Sequence, residues 1–132
     1  MARNASENPN PNPLSEVPQV VAAMNEDPLI AHETQPTRTM AALVRADERL
    51  KKEFPQITLP VLILHGTLDK NTQPSGSQHF YDRVGSADKT LKLYEGSFHD
   101  LLNDLDKSVV MQDIQNWINA RVPVALAASA QT

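Results

Sequence analysis

Asp69 and His99 are the two side chains whose types and spacing could do chemistry. Each stands just beyond a short apolar segment, and thirty residues separate them. Val61-Leu62-Ile63-Leu64, between Pro60 and Gly66, reads as a strand buried on both faces, with Asp69 in the turn that follows. Thr90-Leu91-Lys92-Leu93-Tyr94 alternates with period two and reads as a half-buried strand nearer the sheet edge, leading into the loop Glu95 to Asp100. If the two strands are parallel, both loops reach the same edge of the sheet, where ligands bind in open α/β folds. A carboxylate there can accept the imidazole Nδ1–H, fix the tautomer and stabilise the imidazolium, leaving Nε2 to take a proton from a nucleophile. Asp69 is therefore expected within hydrogen-bond reach of His99, about 2.6–3.2 Å. On spacing alone, a turn aspartate and a loop histidine without chemical role remain the simpler account.

The elements that must position this pair follow from periodicity and breakers. Ser15 to Asn25 reads as a short helix with Pro18 in its first turn and Val17, Val20, Val21 and Met24 on its apolar face. A longer helix is expected from Thr37 to Phe54, opened by Pro36 and closed by Pro55. Met40, Leu43, Val44, Leu50 and Phe54 form its stripe, and Asp47, Glu48, Arg49, Lys51 and Lys52 its solvated side. After the first strand, Asn71 to Gly76 reads as a loop and Ser77 to Val84 as a helix burying Phe80, Tyr81 and Val84. Gly85 to Asp88 is a turn, and Asp106 to Arg121 a final helix with Val110, Ile114, Trp117 and Ile118 turned to the sheet. From residue 60 the order is strand, helix, strand, helix, an α/β pattern. The chain divides into an Asn/Pro-rich disordered leader (1–13), a helical segment (14–58), the α/β part (59–122) and a flexible tail (123–132).

Composition narrows the function. Among 132 residues, 16 acidic and 12 basic side chains leave a net charge of −4, which argues against nucleic-acid binding. The absence of cysteine excludes a disulfide framework and a thiolate zinc site. The start lacks the apolar core of a secretory signal, and no apolar run approaches a membrane span, so a cytoplasmic protein is expected. His32, His65, His79 and His99 are dispersed without a ligand cluster, so no metal is expected, and no phosphate loop or dinucleotide fingerprint points to a cofactor. His65 reads as a hydrogen-bonded neighbour of the site, His79 as a helix residue and His32 as part of a link. Ser75 and Ser77 read as loop and helix-cap serines, because P-S-G-S-Q lacks the turn of a nucleophilic elbow.

L-P-V-L-I-L-H-G-T-L-D followed by K-T-L-K-L-Y-E-G-S-F-H-D-L-L-N-D resembles the C-terminal part of an α/β-hydrolase. Within that superfamily the similarity is to the monoacylglycerol lipase and lysophospholipase group, also grouped with serine aminopeptidases. The resemblance spans about residues 14 to 122. It implies that Asp69, in H-G-x-x-D, is the acid of a catalytic triad and that His99, in Y-E-G-x-x-H, is its base. It also implies that V-V-A-A-M-N-E-D-P-L-I and A-A-L-V-R-A-D-E-R-L belong to the end of the family's cap and the helix returning from it, making 14–58 cap-like.

The sequence departs from that pattern in one decisive respect. The family's nucleophile lies in G-x-S-x-G, with two glycines four positions apart, and none of Gly66, Gly76, Gly85 and Gly96 is so spaced. The oxyanion-hole loop and the first strands of the hydrolase sheet are not found either, and what precedes residue 14 is the Asn/Pro leader. Two classes of function follow. One is part of a serine ester hydrolase acting on acyl-ester lipids, inactive by itself, with its nucleophile absent or supplied by another chain such as a complementary N-terminal half. The other is a non-catalytic, hydrolase-derived interaction module that associates with a partner, or with itself, through an open sheet edge. A third reading is the C-terminal half of an epoxide or haloalkane hydrolase, whose nucleophile is an upstream aspartate.

Overall fold

The computed structural model describes residues 13–29 and 36–122. The leader (Pro13 apart), the link containing His32 and the tail from residue 123 lie outside the described residues. Six main elements follow in order: α1 (Pro18–Glu26), α2 (Thr37–Glu53), β1 (Val61–Gly66), α3 (Pro74–Arg83), β2 (Lys89–Tyr94) and α4 (Lys107–Asn119). Short 3₁₀ turns occupy Phe54–Gln56 and Leu101–Asn103. Pro18 opens α1 at a position where its missing N–H is not needed. The sequence of α2 is rich in strong helix formers, with Lys51 and Lys52 in the last turn where the dipole favours cations. Helix α3 begins at Pro74, three residues before the expected start at Ser77. Proline is well suited to a first helical position, so part of the Asn71-to-Gly76 segment belongs to the helix.

The strands are parallel, paired from Val61 opposite Lys89 to Gly66 opposite Tyr94. Partners across a parallel pair point to the same face, so Val61, Ile63, His65, Lys89, Leu91 and Leu93 share one side. Helix α3 covers that side: Ser77 Oγ reaches His65 Nδ1, and Lys89 Nζ donates to the carbonyls of Tyr81 and Val84. Helix α4 covers the other, where Trp117 Nε1–H donates to Thr90 Oγ1 at 3.2 Å and Tyr94 O–H donates to Asp113 at 2.8 Å. Lys92 pairs with the same Asp113 carboxylate, holding it below the usual range together with the Tyr94 hydroxyl. Burial, then the hydrogen bond to Asp113 and its charge, pushes the Tyr94 phenol up. At the far end of α4, Arg121 makes a forked bond to Asp88 (2.5 and 2.7 Å) and stacks on the Trp117 ring at 3.8 Å.

Ile63, Val84, Tyr94 and Val110 form the buried apolar core. Three features differ from the expectations. In β1 only Ile63 and Gly66 are buried, because the strand has β2 on one edge and no strand on the other among the described residues. The stripe of α2 is not covered by the described residues: Met40, Leu43, Val44 and Leu50 are exposed, Leu43 by 57%. The end of that segment docks, where the Phe54 ring meets those of His79 and Phe80 and the Phe54 carbonyl accepts the Gly85 N–H. Ile118, expected against the sheet, is also exposed. No helix among the described residues is long and apolar enough to cross a membrane.

Val110 is 1% exposed and its neighbour Val109 is 52% exposed, so adjacent positions on α4 separate burial from helix propensity. Val110→Ala should destabilise by roughly 2 kcal/mol, from two lost methyl groups and a residual cavity. Val109→Ala should stay within about 0.5 kcal/mol. Urea unfolding followed by circular dichroism measures both, and equal effects would contradict the placement of the core.

Candidate active site

Both strands end at the same edge of the sheet, and the loops beyond them are knitted together by backbone hydrogen bonds. Thr67 N–H donates to the Tyr94 carbonyl at 2.9 Å, Leu68 N–H to the Ser97 carbonyl at 3.1 Å, and Gly96 N–H to Thr67 Oγ1 at 3.0 Å. Gly96 has φ of 85°, the left-handed conformation that glycine adopts without a Cβ penalty, and it turns the chain back toward β1. Gly66 permits the approach itself. A Cβ there would stand 2.2 Å from both the Ser97 and Phe98 carbonyl oxygens.

This arrangement brings Asp69 and His99 together, with His99 Nδ1 2.8 Å from Asp69 Oδ2. The distance falls within the range expected from the sequence. The Asp69 side chain is 2% exposed and that of His99 39%. Asp69 Oδ1 accepts the backbone N–H groups of Asn71 (2.8 Å) and Thr72 (2.9 Å), forming a turn that fixes the carboxylate plane. Oδ2 accepts the Thr72 hydroxyl at 2.6 Å and lies 3.1 Å from His65 Nε2. Burial alone would raise the carboxyl's pKa. It is outweighed by the Thr72 hydroxyl and N–H, His99 and the Asn71 N–H, which hold Asp69 far below the usual carboxylate range. Asp69 is therefore an anion at neutral pH, and an anion there requires Nδ1 of His99 to carry the proton. Nε2 is then the basic nitrogen.

His65 takes the position of a site neighbour, as the sequence indicates. With Nε2–H directed at Asp69, its Nδ1 accepts the Ser77 hydroxyl at 2.7 Å, so both ring nitrogens are occupied. Ser77 is not a cap but an α3 residue that orients His65. Leu64, His65, Gly66, Asp69, Thr72 and His99 line a cleft of about 200 Å³. Two contributors were not legible in the sequence. Thr72 gives Asp69 two of its bonds, and the only hint is its place three residues after an aspartate in a turn. Asp104, 2% exposed, accepts the Phe98 N–H at 2.9 Å beside His99. Among the described residues no group of three or more His, Asp or Glu side chains is arranged to hold a metal ion.

Gly66→Ala should force the Ser97–Phe98 backbone away, destabilising by roughly 1–3 kcal/mol and opening the Asp69–His99 bond. Gly76→Ala, in α3 with nothing within 4 Å, should be neutral or stabilising by up to about 1 kcal/mol. Urea unfolding and the His99 imidazole NMR signals test the contrast, and an unperturbed His99 in Gly66→Ala would contradict it. The Asp69 carboxyl is also a pH-linked contributor to stability. Its folded pKa lies below the unfolded value of about 3.9, so its contribution is complete above that value and is lost as pH falls through the folded one. Urea midpoints measured from pH 6 to pH 2 should fall less steeply on the acid side in Asp69→Asn than in wild type. Identical slopes would show that the carboxylate is not held as described.

Comparison with known proteins assigns the chain to a family. Residues 2–106 match the serine aminopeptidase S33 family model, so the match begins ahead of the expected span and stops before α4. A monoacylglycerol lipase of Mycolicibacterium smegmatis is 33% identical over 112 residues, covering 85% of this chain and 40% of that protein. Caffeoylshikimate esterase of Arabidopsis thaliana is 39% identical over 87 residues, 64% of this chain and 26% of that one. The crystal structure of a Paleococcus ferrophilus monoacylglycerol lipase superposes with a TM-score of 0.76 at 29% identity, covering 83% of this chain and 42% of that one. The chain thus spans about 40% of the length of the lipases it matches. Its two parallel strands and their helices are part of an α/β-hydrolase fold, and the chain belongs to the serine aminopeptidase S33 family.

Proposed function

We propose that this chain contributes the acid and base of a catalytic triad, Asp69 and His99, to a serine ester hydrolase acting on acyl-ester lipids of the monoacylglycerol or lysophospholipid type. The observation that carries the reading is the 2.8 Å contact between His99 Nδ1 and an Asp69 carboxylate kept ionised by its hydrogen bonds. In that geometry Nε2 takes the proton of an attacking serine hydroxyl, and Asp69 stabilises the imidazolium until the proton passes to the leaving alcohol. The relatives support ester chemistry over epoxide or haloalkane hydrolysis, since they are named as lipases and an esterase.

The G-x-S-x-G elbow is not among these 132 residues, so in this reading the nucleophile and the oxyanion hole come from polypeptide outside them. The edge of β1 that no strand pairs among the described residues and the exposed stripe of α2 are the surfaces that such a half would cover. Self-association through the same edge is the outcome proposed for the chain in isolation. A pure interaction module would use the same surfaces and leave the Asp69–His99 pair idle.

The experiment is complementation. The purified chain should not turn over a short-chain nitrophenyl ester or a monoacylglycerol, because a base without a positioned hydroxyl has nothing to activate, and loss of even one oxyanion donor costs roughly 10²–10³ in rate. Adding the preceding part of the Mycolicibacterium smegmatis lipase, up to where the match begins, should restore turnover. His99→Ala should then lower kcat by roughly 10⁴–10⁶. Turnover by the chain alone, or restored activity indifferent to His99→Ala, would overturn the assignment. Assembly without any turnover would favour the interaction module.

A further inference from the structure

With its side chain 39% exposed, His99 is held only in part by packing. Its direction is therefore set by the Asp69 bond and by the backbone that carries it. The residues on either side of it are both tied to other segments through their backbone N–H groups. The Phe98 N–H donates to Oδ2 of Asp104 at 2.9 Å, and the Asp100 N–H donates to the Leu14 carbonyl at 2.7 Å. Asp104 Oδ1 in turn accepts the N–H of Glu16 at 2.8 Å and that of Leu105 at 3.0 Å, and the Ser15 hydroxyl lies 3.4 Å away. Ser15, 1% exposed, donates to the Asn103 carbonyl at 2.9 Å and accepts the Val17 N–H at 3.0 Å. Each of these donors is a backbone N–H or a hydroxyl.

A carboxylate so deeply buried is tolerable only while its donors stay in place, which makes the cluster stiff. A fold-holding staple could have fallen anywhere along the loop. This one grips the residues immediately before and after His99. The geometry points to Asp104 as a positioning residue for His99, acting through the Phe98 N–H, with Leu14 to Val17 as the strap that fixes the other flank. The inference rests on the reading of His99 as the base. It makes the approach to α1, eighty-five residues earlier in sequence, part of what aims that base at its substrate.

The test is ¹⁵N NMR of the histidine rings in the purified chain, recorded well below each variant's Tm. Wild type should show a protected His99 Nδ1–H bonded to Asp69. Asp104→Asn replaces two acceptor oxygens by one, so either Phe98 or the Glu16 side of the strap loses its partner. The expected result is exchange of the His99 Nδ1–H with water faster by about tenfold, the equivalent of one hydrogen bond to a charged acceptor. The ring shifts should also move toward mixed tautomers. Asp113→Asn, which disturbs only the α4 clasp, should lower Tm and leave the His99 signals unchanged. A lower Tm in Asp104→Asn with wild-type His99 exchange and tautomer would overturn the positioning role. Absence of a protected Nδ1–H in wild type would instead remove the Asp69–His99 pairing on which both readings stand. If Asp104→Asn does not fold, Ser15→Ala trims only the strap's hydroxyl. It should shift His99 in the same direction by a smaller amount, and no shift would overturn the proposal.

Discussion

The carbonyls of Ser97 and Phe98 pass so close to the end of β1 that no side chain fits at Gly66, and the meeting of Asp69 with His99 depends on that approach. Parallel pairing brings the two strand ends level, Gly66 opposite Tyr94, but level ends alone leave two loops free to splay. The missing Cβ lets the second loop lie on the first. The bonds from Thr67 and Leu68 to the carbonyls of Tyr94 and Ser97 then hold it there. With those contacts made, Asp69 and His99 have little choice of partner.

Electrostatics does the rest within a few ångströms. Asp69 is nearly inaccessible to water, a situation that ordinarily favours the neutral acid, yet two backbone N–H groups, a hydroxyl and two imidazoles converge on its oxygens. The balance falls to the anion. With the anion fixed in advance, an imidazolium formed at His99 in the proposed function would meet a counter-charge already oriented. The same economy of donors recurs in Asp104. Helix α4, by contrast, is fastened by clasps at its rim, with Asp113 holding Lys92 and Tyr94, and Arg121 lying between Asp88 and the Trp117 ring. Such exposed pairs contribute little each, which suits a helix whose burial rests largely on Val110.

Much of this was legible in the chain. The four apolar residues before Gly66 and the alternation before Glu95 marked two strands, and strand–helix–strand order placed Asp69 and His99 at one edge. The extent of α2 was also readable from Pro36 to Pro55, but not its surroundings: a stripe such as Met40, Leu43, Val44 and Leu50 announces a face to be covered without saying by what. The start of α3 was misread because Asn71 to Gly76 has loop composition, while Pro74 is equally at home at a helix's first position. Thr72 and Asp104 escaped, and Ser77 was taken for a cap, for a common reason. Small polar residues acquire a role only from what lies beside them, and Asp104's partners at Ser15 and Glu16 are almost ninety positions away in sequence.

In the proposed function, the nucleophile served by His99 lies outside these 132 residues. Intact-mass and peptide mass spectrometry of the assembled halves after treatment with a fluorophosphonate probe tests it most directly. A single adduct is expected on a serine of the complementing half, formed with wild-type chain and not with His99→Ala. An adduct on Ser75, Ser77 or any other serine of this chain would contradict it.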